Sequence, residues 1–435
     1  MAQQAQGMAT IKPFRAWRYA LDEPKQIKEF TCPLFDVSLA EHLDQLYGKT
    51  YNSIHLSQPR GAHPDEEASF TLQKWKSEGV IQQDFLPGIY VYYQYFKLPG
   101  LSRTLCRKGF ICMIDMQAHG HKLPTLTNDI QIHESTIPKA VENRKQLLES
   151  TLLNVSPTHG LYHDRDLSLE KYMDEAIRMP LFSHTDYQGV TDAFGVIHDR
   201  KILRRFIDHI SDKVVVLADG HHRFKASVEF MMQTKSIDSG RRYHMIYLTN
   251  SASRDFCILP THRIVYERSS SFNAFLEKAG KYFNIEKISE SPSIQEPGDP
   301  RNYIIVTRSG TYRLRLQAFV QEEIESEKNF TDQLDVSIVH SIILGKLLNL
   351  PVEQQRDTRY VDFNSDANLC LKKVMDDDAM AILLNPIRPE DVYTVGRLGS
   401  IMPQKTTYFY PKVVCGYVFG SINEDEVNSP LDPCI

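Results

Sequence analysis

The stretch VVVLADGHHRFKASVEFMMQ, Val214 to Gln233, holds the densest group of residues able to do chemistry. A run of β-branched and aliphatic residues stops at Asp219 and Gly220, and two histidines and an arginine then open an amphipathic helical pattern. A strand that runs through Asp-Gly directly into a helix leaves backbone N–H groups free at the helix start, which favours an anion there. Gly220 lets a phosphate or a second backbone come close, and Arg223 offers a planar fork of donors. The same residues admit a plainer reading, in which Asp219 caps the helix, His221 and His222 lie on a solvated turn, and Arg223 pairs with a distant carboxylate. Zinc is not expected, because adjacent histidines on one helix diverge and this stretch holds no i, i+4 histidine pair or cysteine pair.

Three further segments could contribute. IHESTIPK places His133 and Glu134 just before a helix that carries Lys139 and Arg144. A carboxylate beside a histidine can act as general base on a substrate hydroxyl, and the two cations can neutralise a transferring group; a capped helix with a solvated charged face is the alternative. MPQKTTYFYPK packs Lys405, Thr406 and Lys412 among hydroxyls and aromatic rings, a mixture that suits phosphate or a nucleotide base and also suits a solvated edge strand. LPTHRIV offers Thr261, His262 and Arg263, read first as a structural turn with His262 as a candidate phosphate contact. For Mg2+ the candidate ligands are Asp219 and Asp36, the latter in CPLFDV.

The elements that must position these residues follow from periodicity. GIYVYYQYFKL and GFICMIDM read as two strands of a hairpin joined by LPGLSRTLCRK. IPKAVENRKQLLESTLL and IHDRKILRRFIDHIS read as helices, KVVVLADG and YHMIYLTNS as strands. NYIIVTR and TYRLRLQAF flank Ser309-Gly310 as a second hairpin, and DVSIVHSIILGKLLNL is helical. A Ser-, Pro- and acid-rich tract between about Glu267 and Arg301 marks a soft boundary. The expected plan is therefore a leader over 1–10, a first domain over 11–267 bearing the Asp-Gly-His-His-Arg loop, and an α+β domain over 268–435.

With 435 residues the chain exceeds one ordinary core, and 50 Lys and Arg against 55 Asp and Glu leave a net charge of −5. That balance argues against nucleic acid and anionic lipid as partners. No apolar run approaches the roughly 20 residues that span a bilayer, and the start MAQQAQGMAT lacks the pattern of a signal peptide, so a cytoplasmic protein is expected. The seven cysteines are scattered and never spaced C-x-x-C, which fits reduced thiols.

The Asp-Gly-His-His-Arg segment resembles the family known as domain of unknown function 1015, where that signature follows a buried strand. The chain matches the family in order along nearly its full length: IKPFRAWR, CPLFDV, YNSIHL, IHESTIPKAVENRKQLL, NVSPTHGLY, LPTHRIV, LDVSIVH, LLNPIRPEDV and IMPQKTTYFYPK. The loop is also similar to the phosphate loops of the ParB and sulfiredoxin superfamily, whose free serine kinases carry Asp-Gly-His-Thr-Arg. This resemblance implies an N-terminal ParB/sulfiredoxin-like mixed sheet with helices, and a phosphotransferase acting on free serine or phosphoserine with ATP or ADP and Mg2+. It implies catalytic roles for Asp219, Glu134, His221 and His222. Gly220, Arg223, His133, Lys139, Arg144, Lys405, Thr406, Lys412 and His262 would then hold phosphate or substrate. Two alternatives stand beside it: a ParB-like nucleotide-binding regulator without turnover, and a metal-dependent hydrolase built on Asp219, His221, His244 and His262. Zinc, haem and flavin are not expected, and the oligomeric state is left open. The chain departs from the family after the arginine, with Phe224-Lys225-Ala226 where Tyr-Glu-Thr is common.

Overall fold

The computed structural model describes residues 9–34, 40–117, 129–133, 136–186, 188–234, 239–266, 271–291, 298–327 and 329–427. Asp36 and Glu134 lie outside them. The chain is of the mixed α+β class expected, and it divides into two compact units. The first comprises 1–132, 136–257 and 411–435, the second 133–135 and 258–410.

The first unit is built on a nine-stranded mixed sheet. Its strands are β1 (Ile11–Lys12), β2 (Ile89–Phe96), β3 (Leu105–Asp115), β4 (Ile130–Gln131), β5 (Thr158–Tyr162), β6 (Phe182–Thr185), β7 (Thr191–Ile197), β8 (Val215–Asp219) and β9 (Tyr243–Asn250). Their order is β4-β8-β5-β9-β3-β2-β7-β6, with β1 also on β3. β8 runs parallel to β4 and β9 parallel to β5, while the remaining pairs are antiparallel. The hairpin expected from GIYVYYQYFKL and GFICMIDM is present as β2 and β3. β3, however, begins at Leu105, inside the presumed connection, because Leu105 to Arg107 pair with Phe96 to Gln94.

Both faces of this sheet are buried, and strand alternation sorts residues between them. Ile89, Val91 and Tyr93 of β2 join Ile246 and Leu248 of β9 in one core, which is covered by helices α3 (Glu170–Ile177), α4 (Arg200–Ile210) and α5 (His221–Met232). Tyr90 and Tyr92 join Met245 and Tyr247 on the other face, under Trp75 of α1 (Pro64–Ser77). Helix α2 (Pro138–Thr151) carries proline in its first turn, as expected, and packs on α5.

The second unit holds an antiparallel six-stranded sheet of β10 (His262–Val265), β11 (Phe283–Ser289), β12 (Asn302–Thr307), β13 (Gly310–Leu316), β14 (Val361–Asn364) and β15 (Met380–Leu383). The order is β11-β13-β12-β15-β10-β14. The hairpin expected around Ser309-Gly310 is β12 and β13. DVSIVHSIILGKLLNL is helical, but from Val339 to Leu347 it is wound as a π-helix, α6.

The division differs from the expected break at 267/268 in two respects. Residues 258–266 group with the second unit, because β10 pairs with β14 and β15. The chain from Pro411 groups with the first unit, where Cys415 pairs with Cys32 and Phe419 with Trp17. A Ser/Pro tract signals a polar connection and carries no information about which sheet the flanking strands join. Among the described residues no helix is long and apolar enough to cross a membrane.

Candidate functional site

Strand β8 is buried from Val215 to Ala218 and delivers Asp219 to the start of α5. Its register against β5 shifts between Leu217 and Asp219, which sets Asp219 opposite His159. Gly220 makes the turn with φ 89°, and a Cβ there would lie 2.7 Å from Thr158 Cγ2 and 2.9 Å from Arg223 Nη2. Backbone angle and space therefore both require glycine. Gly220 stands at the N-cap of α5 and gives it no side-chain cap. The Asp219 carboxylate turns elsewhere: its Oδ1 accepts from Lys412 Nζ at 3.2 Å, and its Oδ2 lies 3.7 Å from Arg223 Nη2.

These three groups form a shielded charge cluster, with side-chain exposures of 9% for Lys412, 23% for Asp219 and 18% for Arg223. Burial by itself would raise the Asp219 carboxyl, but the charges of Lys412, Arg223 and His221 together outweigh it and hold the group well below the usual carboxylate range. Such a carboxylate is a fixed negative charge and a poor proton acceptor near neutrality. Arg223 spends its shortest bonds on neutral atoms, donating through Nη1 to Ser156 Oγ at 2.8 Å and to the Pro157 carbonyl at 2.7 Å.

Beside it lies a cleft of about 50 Å3, lined by Arg223 and Ser227 of α5, Arg144 of α2, Ser57, Ser156 and His244 among others. That volume admits a few waters or one small anion. Arg144 donates to the Ser57 carbonyl at 2.6 Å; burial pushes its pKa down, and the nearby positive charge of Arg223 pushes it further. Two guanidinium groups of like charge thus face one small space.

Two histidines of the region bond to neighbouring elements. His222 Nε2 accepts the Ile137 N–H at 3.0 Å, at the start of α2, so it ties the two helix starts together. His244 bonds the Thr158 hydroxyl through Nε2 at 3.0 Å and the Ser227 hydroxyl through Nδ1 at 2.8 Å, and burial lowers it to about 3, so it is neutral. His221 is buried at the first turn of α5. Lys139 is exposed.

Four further expected site residues, His133, His262, Lys405 and Thr406, belong to the second unit. MPQKTTYFYPK is divided, with Lys405 and Thr406 in the second unit and Lys412 in the first. Thr406 donates to the Pro403 carbonyl at 2.6 Å, and Lys405 is exposed with its carbonyl toward Arg263. His133 is buried, and its carbonyl accepts the Met402 N–H at 2.9 Å. His262 accepts the Leu384 N–H at 3.2 Å and is lowered to about 4, first by burial and then by Arg263. Among the described residues no group of three or more His, Cys, Asp or Glu could hold a metal ion, so Asp219, His221, His244 and His262 form no metal centre. Asp219, already engaged by Lys412 and Arg223, does not fit the role of a Mg2+ ligand. Ser57, Ser156 and Ser227 escaped sequence reasoning, although Ser156 stands in the NVSPTHGLY block and Ser227 in the stretch from Val214 to Gln233.

Comparison with known proteins gives one family match. The profile described as "Protein of unknown function (DUF1015)" matches residues 11–337. No curated protein matches the chain. Among solved structures, the chain is similar to a free serine kinase in complex with AMP (10% identity, TM-score 0.33, covering 71% of this chain and 97% of that one). It is also similar to a conserved hypothetical protein from Pyrococcus furiosus (9%, 0.33, 66% and 89%) and to SbnI with a C-terminal truncation from Staphylococcus aureus (10%, 0.34, 67% and 84%). With TM-scores below 0.5, none of these three likenesses bears on the site.

Proposed function

The chain belongs to the family of proteins of unknown function DUF1015, and we propose that it is a small-molecule phosphotransferase using a nucleotide, with free serine or phosphoserine as the small substrate. The observation that carries the reading is the pair of guanidinium groups, Arg144 and Arg223, lining one small cleft beside the start of α5. An anion between two like charges relieves their repulsion and meets donors already held in place by Ser57, Ser156 and Pro157. The cleft has room for one phosphate group, so the rest of a nucleotide would lie outside it. Asp219 holds Lys412 and Arg223 in position and supplies no base. Any magnesium would arrive with the nucleotide phosphates. The substrate class rests on the sequence resemblance of the Asp-Gly-His-His-Arg loop to that of free serine kinases.

A second reading is binding without turnover, as in a nucleotide-responsive regulator. The low basicity of Asp219 favours it. Purified protein incubated with serine, magnesium and ATP or ADP, followed by phosphorus NMR, separates the two. Phosphoserine formation that is lost in Arg223→Met supports transfer. Nucleotide binding by calorimetry without any product leaves the regulator, and neither product nor binding overturns both.

A further inference from the structure

The second unit contains a larger cavity, about 550 Å3, within the range of small-molecule sites. Leu334, Val336, Leu384 and Ile387 supply apolar wall, and Thr261, Arg263 and Thr406 supply polar groups. The rim charges Arg301 and Arg388 are matched by Asp335 at 2.9 Å and Asp391 at 2.8 Å. Glu325, the remaining lining charge, is exposed, so Arg263 is the buried charge of the cavity.

Arg263 is 1% exposed, and among the described residues it meets no carboxylate within ion-pair distance. Its partners are neutral: the Thr261 carbonyl, His340 Nε2 at 3.1 Å and 3.3 Å, and the Lys405 carbonyl at 3.4 Å. Burial with no opposing charge lowers its pKa to about 9. His340 is kept neutral by burial, at about 3, so its Nε2 accepts while its Nδ1 donates to Gln355 Oε1 at 2.8 Å. Gln355 is itself pinned through the Leu350 carbonyl at 2.7 Å. The guanidinium is thus oriented by dipoles and carries a full charge in a nearly dry place, a costly arrangement unless an anion completes it.

A second observation comes from Thr261, whose buried hydroxyl lines the same cavity and has no hydrogen-bond partner among the described residues. Native proteins leave few buried polar atoms unsatisfied. His340 stands in the π-helical segment α6, a winding that widens a helix and is common at functional sites.

We propose that this cavity binds a small organic oxyanion, a carboxylate or phosphate ester on an apolar body, whose oxygens take the Arg263 guanidinium and the Thr261 hydroxyl. The site is independent of the Arg144 and Arg223 cleft. Calorimetry of the full chain with benzoate and with phenyl phosphate, at constant ionic strength, distinguishes the two head groups. At least one should bind, with affinity falling about tenfold or more in Arg263→Met and about threefold in Thr261→Val. Without anion, Arg263→Met should melt no lower than the wild type. Failure of both probes to bind, or equal binding to wild type and Arg263→Met, overturns the proposal. So does a large loss of stability in Arg263→Met, which would give the guanidinium a structural task. Undiminished binding by the isosteric Thr261→Val overturns it as well, whatever the stability of Arg263→Met.

Discussion

Arg223 and Arg263 are both shielded arginines beside cavities, yet they are held in opposite ways. Arg223 shares a carboxylate with Lys412, so its charge is part of a small network that the chain supplies itself. Arg263 is surrounded by carbonyls and a neutral imidazole, which fix its direction and leave its charge uncompensated. The contrast separates two uses of a buried cation. A paired one costs much when its partner is removed, whereas an unpaired one costs stability while it stands and is relieved by an anion.

The largest expected effect tests the first half of that contrast. Asp219→Asn leaves Lys412 and Arg223 without their shared counter-charge and should cost about 3 kcal/mol in denaturant unfolding. Inorganic phosphate should recover part of the loss, and if the variant is as stable as the wild type the cluster is not a network. Gly220→Ala should cost about 2 kcal/mol, since it adds left-handed strain and drives a methyl into Thr158 and Arg223. Phosphate affinity should fall with it.

Arg263→Met is the counterpart, with a change within about 1 kcal/mol or a gain, by the same differential melting measurement. Acid titration sharpens the comparison further. His340 has a folded pKa of about 3, below its ordinary 6.5, so the unfolded chain takes up a proton first as pH falls. Its contribution is whole above pH 6.5 and is lost between 6.5 and about 3. His340→Gln keeps an acceptor for Arg263, and its unfolding midpoint should fall less than the wild type's between pH 7 and 4. Asp219 is also depressed, so its contribution is present above the ordinary carboxyl value of 3.8 and is lost only as pH drops further. The smallest effect belongs to the exposed Lys139. Lys139→Ala should alter stability by no more than about 0.5 kcal/mol, and a large loss of phosphate affinity would bring Lys139 into the site.

Local features were legible along the chain. The strand, Asp-Gly break and helix at 214–233 are present as read, because β-branched run, glycine and amphipathic period act within a few residues. The bond from Lys412 to Asp219 spans 193 positions, and the loop that suggested grouping Lys412 with Lys405 and Thr406 is split between units. Sequence proximity is a poor guide where a chain leaves one sheet for another. In the sequence, Arg263 reads as part of a structural turn in LPTHRIV. Its burial follows from β10 lying between β14 and β15.

The amino-acid sequence by itself determined the mixed α+β class, the family, and the strand, glycine turn and helix around Asp219, since each depends on short-range pattern. Tertiary structure decided that Asp219 is a held anion and no helix cap, that the chain end returns to the first unit, and that an uncompensated arginine lies in the second. These are properties of burial and of charges brought together from distant positions, where desolvation and Coulomb energies are set by neighbours that no local pattern names.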